Sequence, residues 1–211
     1  MPLIKNNNKL LYFIHIPKCA GSAIEDFFLE NGAMVSFLDR SGKFSSTWYK
    51  SSPQHIDETT FKRLFNIDIF DELFTIVRNP LERYISAYKH TYKFLKPGTN
   101  INDFTILLSD YLRKNNSLMG FRDNHFLPMS KFIPEINSIK IFKLEDSLDP
   151  VLKWLNEINF LNINLKDTKI PFKNESNQFE KKMLDLNKDS LRFIEELYKN
   201  DFDRFNYDLK K

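Results

Sequence analysis

Two short segments combine residue types that can hold a small polyanion. The first, Pro17-Lys18-Cys19-Ala20-Gly21-Ser22, joins an apolar run to the start of an amphipathic segment. A strand that feeds a helix through small residues aims several backbone N–H groups at one point, and the helix N-terminus adds partial positive charge there. Gly21 permits close approach of the backbone to an anion. Ala20 is expected at ordinary backbone angles, Lys18 brings a full charge and Ser22 a hydroxyl. An ordinary turn with an exposed lysine would have the same composition. The second segment is Arg78-Asn79-Pro80-Leu81-Glu82-Arg83-Tyr84-Ile85-Ser86-Ala87-Tyr88. Arg78 can grip a phosphate with its planar fork, and Ser86 lies two turns into the following helix on its polar side. A structural ion pair is the other use of a strand-end arginine.

The pattern is not a nucleotide-triphosphate loop of the G-x-x-x-x-G-K-[ST] kind, because Lys18 precedes the turn instead of opening the helix. The run before Arg78 also ends without an aspartate that could hold Mg²⁺. The four histidines stand at 15, 55, 90 and 125. His15 lies inside an apolar run and reads as a satisfied core histidine. His55, in Ser51-Ser52-Pro53-Gln54-His55-Ile56, and His125 are candidates for acid–base work, since an unperturbed imidazole titrates near 6.5. Glu25 and Glu30 read as solvated helix residues. Cys19, beside Lys18 and a helix N-terminus, is expected to have a lowered thiol pKa.

These groups need a scaffold, and the hydrophobic pattern supplies one. Leu10–Ile16 and Leu73–Val77 read as buried strands, and Ile139–Leu144 as a third. Ala23–Leu29 carries Ile24, Phe27 and Phe28 at helical spacing, and Gly32 stops it. Asp57–Phe65 predicts a short helix with Asp57 as N-cap. Pro80 opens a helix whose apolar face is Leu81, Tyr84, Ile85 and Tyr88, leaving Arg83, Ser86 and His90 on the other face. Further helices are predicted over Ile101–Tyr111, from Asp149-Pro150, and over Phe179–Phe205. Residues 36–56 read as irregular, 115–135 as a polar loop and 160–178 as loop. Strands alternating with helices predict an α/β fold, P-loop-like, with a central mostly parallel sheet flanked by helices, in one domain over residues 1–211. Ligands in such folds sit beyond the carboxyl ends of the strands, where both segments emerge.

Composition narrows the function classes. Apolar residues make up 42% and charged residues 28%, a globular balance, and the net charge is only +3. Acidic residues are spread along the chain, unlike the basic stripe of a nucleic-acid binder. The single cysteine excludes an internal disulfide, and no Cys/His cluster has zinc spacing. Leu10–Ile16 is too short to span a bilayer. The expectation is a chain without stable membrane insertion, cytoplasmic in location.

Together the two segments resemble the PAPS-dependent sulfotransferases, closest to the carbohydrate branch with its heparan 2-O- and chondroitin-type members. The first is similar to their PK-x-G-G-T-S phosphosulfate loop, with Cys19, Ala20, Ser22 and Ala23 standing for Thr, Gly, Thr and Ser. The second is similar to their R-[ND]-P-x-x-R-x-x-S-x-Y motif for the 3′-phosphate. Asn124-His125-Phe126-Leu127-Pro128 resembles N-x-H-W-x-P, and Ile141–Glu145 the strand and acidic turn that follow it. Phe172-Lys173-Asn174-Glu175-Ser176 resembles a late N-x-S turn near the nucleotide. Tyr198 to Tyr207 resembles a Y-x-x-D-F-x-x-F-x-Y ending.

The resemblance implies a 3′-phosphoadenosine 5′-phosphosulfate (PAPS) donor, a PAP product and no metal. A transferring sulfuryl group carries less charge than a phosphoryl group, so lysine, serine and backbone donors suffice. It implies donor contacts from Lys18, Cys19, Ala20, Gly21, Ser22, Ala23, Arg78, Ser86 and Ser176. In the heparan 2-O branch a catalytic histidine lies ahead of the second strand, which implies His55 as base, with His125 as the second choice. The implied partner is a hydroxyl-bearing acceptor, a sugar by analogy. Lys43, Lys50, Arg83, Lys89 and His90 could line a site for an acidic sugar, and a solvated surface explains them equally well. A metal-dependent small-molecule kinase and a decayed nucleotide-binding module remain as alternatives.

Overall fold

The computed structural model describes residues 2–39, 50–136, 138–161, 164–171 and 179–208. Its centre is a five-stranded sheet. The strands are β1 (Leu3–Asn6), β2 (Lys9–Ile14), β3 (Met34–Ser36), β4 (Glu72–Val77) and β5 (Ile139–Lys143), in the order β3-β1-β2-β4-β5. β2, β4 and β5 pair in parallel, and β1 runs antiparallel to both β2 and β3. Four strands therefore share one direction, which is the mostly parallel α/β architecture expected.

The sequence pattern missed two strands, β1 and β3. β1 and β2 form a hairpin whose turn residues Asn7 and Asn8 both take positive φ, 47° and 63°. Asparagine tolerates that region, and two such residues match the twist of a tight hairpin. β3 is only three residues long and largely exposed, so it carries no run of apolar residues to signal it.

Eight helices surround the sheet among the described residues: α1 (Gly21–Glu30), α2 (Glu58–Leu64), α3 (Pro80–Thr91), α4 (Ile101–Asn115), α5 (Asp149–Glu157), α6 (Lys181–Leu184), α7 (Lys188–Leu197) and α8 (Lys199–Phe205). Their starts follow local chemistry. The Asp57 side chain accepts from Thr60 N, Asn79 from Leu81 N and Glu82 N, Asn100 from Asn102 N and Asp103 N, and Asn187 from Ser190 N. The tail expected as one helix is broken into α6, α7 and α8. Asn187 caps α7 anew, and Asp185 before it is extended.

The high phenylalanine content fills the core. Phe13 stacks on Phe74 at 4.8 Å, Phe74 meets Trp154 of α5 at 5.2 Å, and Tyr12 stacks on Phe61 of α2 at 4.2 Å. The stretch 115–135 is not the polar loop expected. Phe126, Leu127, Met129, Phe132 and Ile133 are all buried, which anchors this segment to the core.

The C-terminal motif proves to be an anchor for the site's neighbours. Tyr198 donates its hydroxyl to Phe126 O at 2.9 Å. Asp201, 0% exposed, accepts from the amides of Met129 and Ser130 at 2.6 and 2.8 Å. Tyr207 donates to Glu145 Oε2 at 2.7 Å, and the other oxygen of Glu145 accepts from Asn79 N at 2.8 Å.

Arg83 departs most from expectation. The helical pattern puts it on the polar face of α3, yet it is 0% exposed. Nε donates to Pro17 O at 3.0 Å, and Nη2 to His125 O at 3.2 Å and Leu127 O at 2.9 Å. Three buried carbonyls draw the guanidinium inward because they would otherwise lack a donor. Arg83→Met, which keeps the stem and removes the donors, should lower unfolding free energy by about 3 kcal/mol, read as a lower urea midpoint with an unchanged slope.

Candidate functional site

β2 and β4 are adjacent and parallel, with Ile14 opposite Thr75. The turns that leave them, Pro17–Ala20 and Arg78–Asn79, therefore exit the same edge of the sheet. Thr75 Oγ1 donates to Ile14 O at 2.8 Å, and Arg83 reaches from α3 to Pro17 O. These two contacts hold the exits together.

The first turn is tight. Lys18 and Ala20 take φ of 69° and 63°. Ala20 thus occupies the left-handed region instead of the ordinary angles expected, at a cost of about 1 kcal/mol relative to glycine. Ala20 is also the N-cap of α1 and offers no side-chain cap. The first N–H groups of a helix have no intrahelical acceptor; Cys19 N donates to Ile16 O at 3.3 Å and Ala23 N to Ala20 O at 3.1 Å. Gly21 has a different reason from the one expected. A Cβ there would lie 1.9 Å from His15 Nε2, so glycine is required for α1 to close over that imidazole. Ser22 is exposed, Lys18, Ala23 and Ala20 are half-buried, and Cys19 is buried with Sγ 4.0 Å from Met129 Sδ.

Cys19 corrects the expected thiol chemistry. Burial pushes its pKa up to about 12, although the Arg83 and Arg78 guanidiniums both pull it down. That pull places both charges beside the first turn. Arg78 is half-buried and 3.6 Å from Glu82. Ser86 is half-buried on α3, and Ser176 lies outside the described residues. Lys43 lies outside them as well; Arg83 is buried and does not contribute to a basic acceptor surface.

All four histidines form one row. The His15 and His55 rings meet edge to face at 4.7 Å, His55 and His125 at 5.2 Å, and His125 stacks on His90 at 4.6 Å. Three of the four are buried. His15 Nδ1 is 2.5 Å from Glu25 Oε1. Glu25, expected in solvent, is 2% exposed because it faces this imidazole. His55 closes a short 3₁₀ turn, Pro53–His55, and its Nδ1 lies 2.6 Å from Asp123 Oδ2. His125 Nδ1 donates to Arg122 O at 2.7 Å. Asp123 was not recognised in the sequence, where nothing links it to a histidine 68 positions earlier.

Burial drives the His55 pKa down to about 4. The hydrogen bond to Asp123 opposes this, and the His15 ring adds to it. Burial likewise holds His125 well below its ordinary value, with the His55, His90 and Lys18 charges acting in the same direction. Asp123 stands at about 2: burial pushes it up, and the hydrogen bonds from His55 and Ser52 outweigh that. One ligand atom from each of His55, Asp123 and His125 lies within 4.8 Å of the others, close enough for a metal ion. In the structure, the carboxylate and the His55 nitrogen are committed to each other.

A cavity of about 380 Å³ opens beside this row, lined by Ser22, His15, Glu25, Leu38, Asp39, Gln54 and His55. It brings the hydroxyl of the first turn and the His55 imidazole to one space. Lys18 is close enough to act on His125.

The family model described as "Sulfotransferase family" matches residues 2–208. The chain belongs to the sulfotransferase family and is a sulfotransferase enzyme. A search of curated proteins found no match. Among solved structures, the crystal structure of a sulfotransferase from Alicyclobacillus acidocaldarius is similar over 94% of this chain and 86% of that one, at 15% identity and a TM-score of 0.39. No helix among the described residues of this sulfotransferase is long and apolar enough to cross a membrane.

Two outcomes follow from the buried groups. His55 titrates near 6.5 unfolded and about 4 folded, so between those values the unfolded chain binds more protons. Stability is therefore full above about pH 6.5 and falls as the pH drops toward 4, with the Asp123 contribution lost below that, toward 2. Urea midpoints at pH 7 and 4.5 should differ more for wild type than for His55→Gln. Cys19, buried and kept as a thiol, should resist iodoacetamide at pH 7.5 in the native sulfotransferase and alkylate at the ordinary thiol rate in urea.

Proposed function

We propose that this sulfotransferase moves a sulfuryl group from PAPS to a hydroxyl of a carbohydrate acceptor, with His55 as the base. The observation that carries the reading is the cavity lined jointly by Ser22 of the phosphosulfate turn and His55.

The residues present fit a doubly phosphorylated donor. The uncapped N-terminus of α1 leaves amides for the 5′-phosphosulfate end. Arg78, at the exit of the neighbouring strand, is suited to the 3′-phosphate, with Ser86 adding a hydroxyl from α3. Arg83 Nη1 is buried without a hydrogen bond of good geometry, which leaves positive charge beneath the same turn.

The donor, when bound, supplies the sulfuryl group, and its bond from sulfur to the phosphate oxygen breaks as the acceptor oxygen bonds to sulfur. The chain's own groups do the rest. Lys18 and Ser22 stabilise charge at the 5′-phosphate end. Arg78 and Ser86 fix the other end and so set the line of approach. His55 takes the acceptor proton at Nε2, because Nδ1 is occupied by Asp123. His125, edge to face with His55 and stacked on His90, contributes to acceptor orientation. The carbohydrate acceptor rests on the likeness of 124–128 to that branch.

The test is turnover with labelled PAPS and a panel of oligosaccharides, together with thermal shifts for PAP, PAPS and ATP with and without Mg²⁺. PAP and PAPS should raise the melting temperature without metal, and ATP should not. Lys18→Ala should abolish turnover, and Arg78→Ala should weaken PAP binding about 30-fold, the loss of one charge-assisted fork. Turnover by Lys18→Ala near the wild-type rate would overturn the mechanism.

A further inference from the structure

The turn that delivers Asp123 to His55 is built at a backbone cost. Arg122, Asp123 and Asn124 take φ of 47°, 56° and 61° in succession. None is glycine, and left-handed backbone costs roughly 1 kcal/mol or more per such residue. Runs of this kind persist only where the surroundings over-determine them, and they cluster at functional sites.

Here the surroundings converge on one residue. Asn124, fully buried, donates from Nδ2 to His55 O at 2.8 Å, and its Oδ1 accepts from Gly120 N at 2.6 Å. Asp123 Oδ2 meets His55 Nδ1 at 2.6 Å and accepts from Ser52 Oγ at 2.8 Å, while Oδ1 accepts from Ser52 N at 2.6 Å. One residue of the turn thus grips the His55 backbone and its neighbour grips the His55 ring. Ser52 precedes the 3₁₀ turn Pro53–His55 and His55 ends it, so Asp123 clamps that turn at both ends.

An ionised carboxylate only accepts hydrogen bonds. Nδ1 must then carry the proton, and the lone pair of a neutral His55 lies on Nε2. The rings of His15 and His125 pack against His55 at 4.7 and 5.2 Å with planes near perpendicular to it, which confines the imidazole on two sides. His15 is itself held by Glu25.

We propose that Asp123 is the positioning residue of the sulfuryl transfer: it sets the tautomer and orientation of His55 and balances the imidazolium formed during the reaction. The proposal rests on the assignment of His55 as base. In the step, the acceptor O–H proton passes to His55 Nε2 while the oxygen's electron pair bonds to sulfur. The sulfur–oxygen bond to the phosphate breaks, with its electron pair leaving on the phosphate oxygen. Asp123 stays ionised throughout and pairs with the new imidazolium. The same logic in hydrolytic triads gives a large loss in kcat when the orienting carboxylate becomes an amide.

The experiment is histidine ¹H–¹⁵N correlation spectroscopy on the full chain at pH 7, combined with kinetics of Asp123→Asn, Asp123→Glu and His55→Ala. His55 in the wild type should be the Nδ1–H tautomer, a readout that requires neither turnover nor a variant. Asp123→Asn should populate the Nε2–H form and lower kcat about 100-fold or more, with KM for PAPS within about threefold of wild type. Asp123→Glu should restore part of kcat. An Nε2–H tautomer in the wild type, or Asp123→Asn with kcat within about threefold of wild type while His55→Ala is inactive, overturns the role of Asp123 alone. An active His55→Ala overturns the assignment of the base, and the positioning role with it.

Discussion

Arg83 lies inside the molecule with its planar fork turned on the carbonyls of Pro17, His125 and Leu127. Those carbonyls belong to the turn after β2 and to the segment that carries the last buried histidine, while Arg83 itself rises from the helix after β4. A guanidinium suits this task because five fixed N–H donors can reach several acceptors at once, where an ammonium could not hold the same directions. The geometry of the site depends on that junction. The first turn, the second turn and the His125 segment are far apart in sequence, and the described contacts meet at one side chain. The C-terminal residues reinforce it, with Tyr198 on Phe126 and Asp201 on the amides of Met129 and Ser130.

Around this junction the chain accepts local strain for position. Ala20 and Lys18 sit in left-handed backbone to turn the chain into α1, and Arg122 to Asn124 do the same to reach His55. Both departures are countered by buried contacts: α1 packs Gly21 against His15, and Asn124 bonds to the His55 carbonyl. Such compensation explains how a turn with Ala20 in left-handed backbone keeps its shape. The conformation is imposed by packing on both sides, not by the preference of the residue.

The histidine row shows how one environment gives identical side chains different partners. His90 is exposed at one end, while His15, His55 and His125 are buried and each held at Nδ1 by a different partner. Burial keeps His55 and His125 neutral at ordinary pH, a state in which an imidazole can accept a proton. Of the row's members, His15 and His55 line the cavity that also holds Ser22.

The sequence alone determined the strands β2, β4 and β5, the helices α1 and α3 that follow the first two, the Asp57 cap of α2, the start of α3 at Pro80, and the turns that leave β2 and β4. These are local signals: apolar runs, capping residues and small-residue turns act within a few positions, so they are readable without the fold. Sequence periodicity misassigned Arg83, Glu25 and the segment 115–135, since a polar side chain is placed in solvent by default. Only tertiary structure could reverse that, by presenting each with buried partners: three carbonyls for Arg83, an imidazole for Glu25. Asp123 and the histidine row belong to the same class. Their contacts join residues 10 to 68 positions apart or more, and no periodicity within one element records which distant groups will face each other once the core has closed.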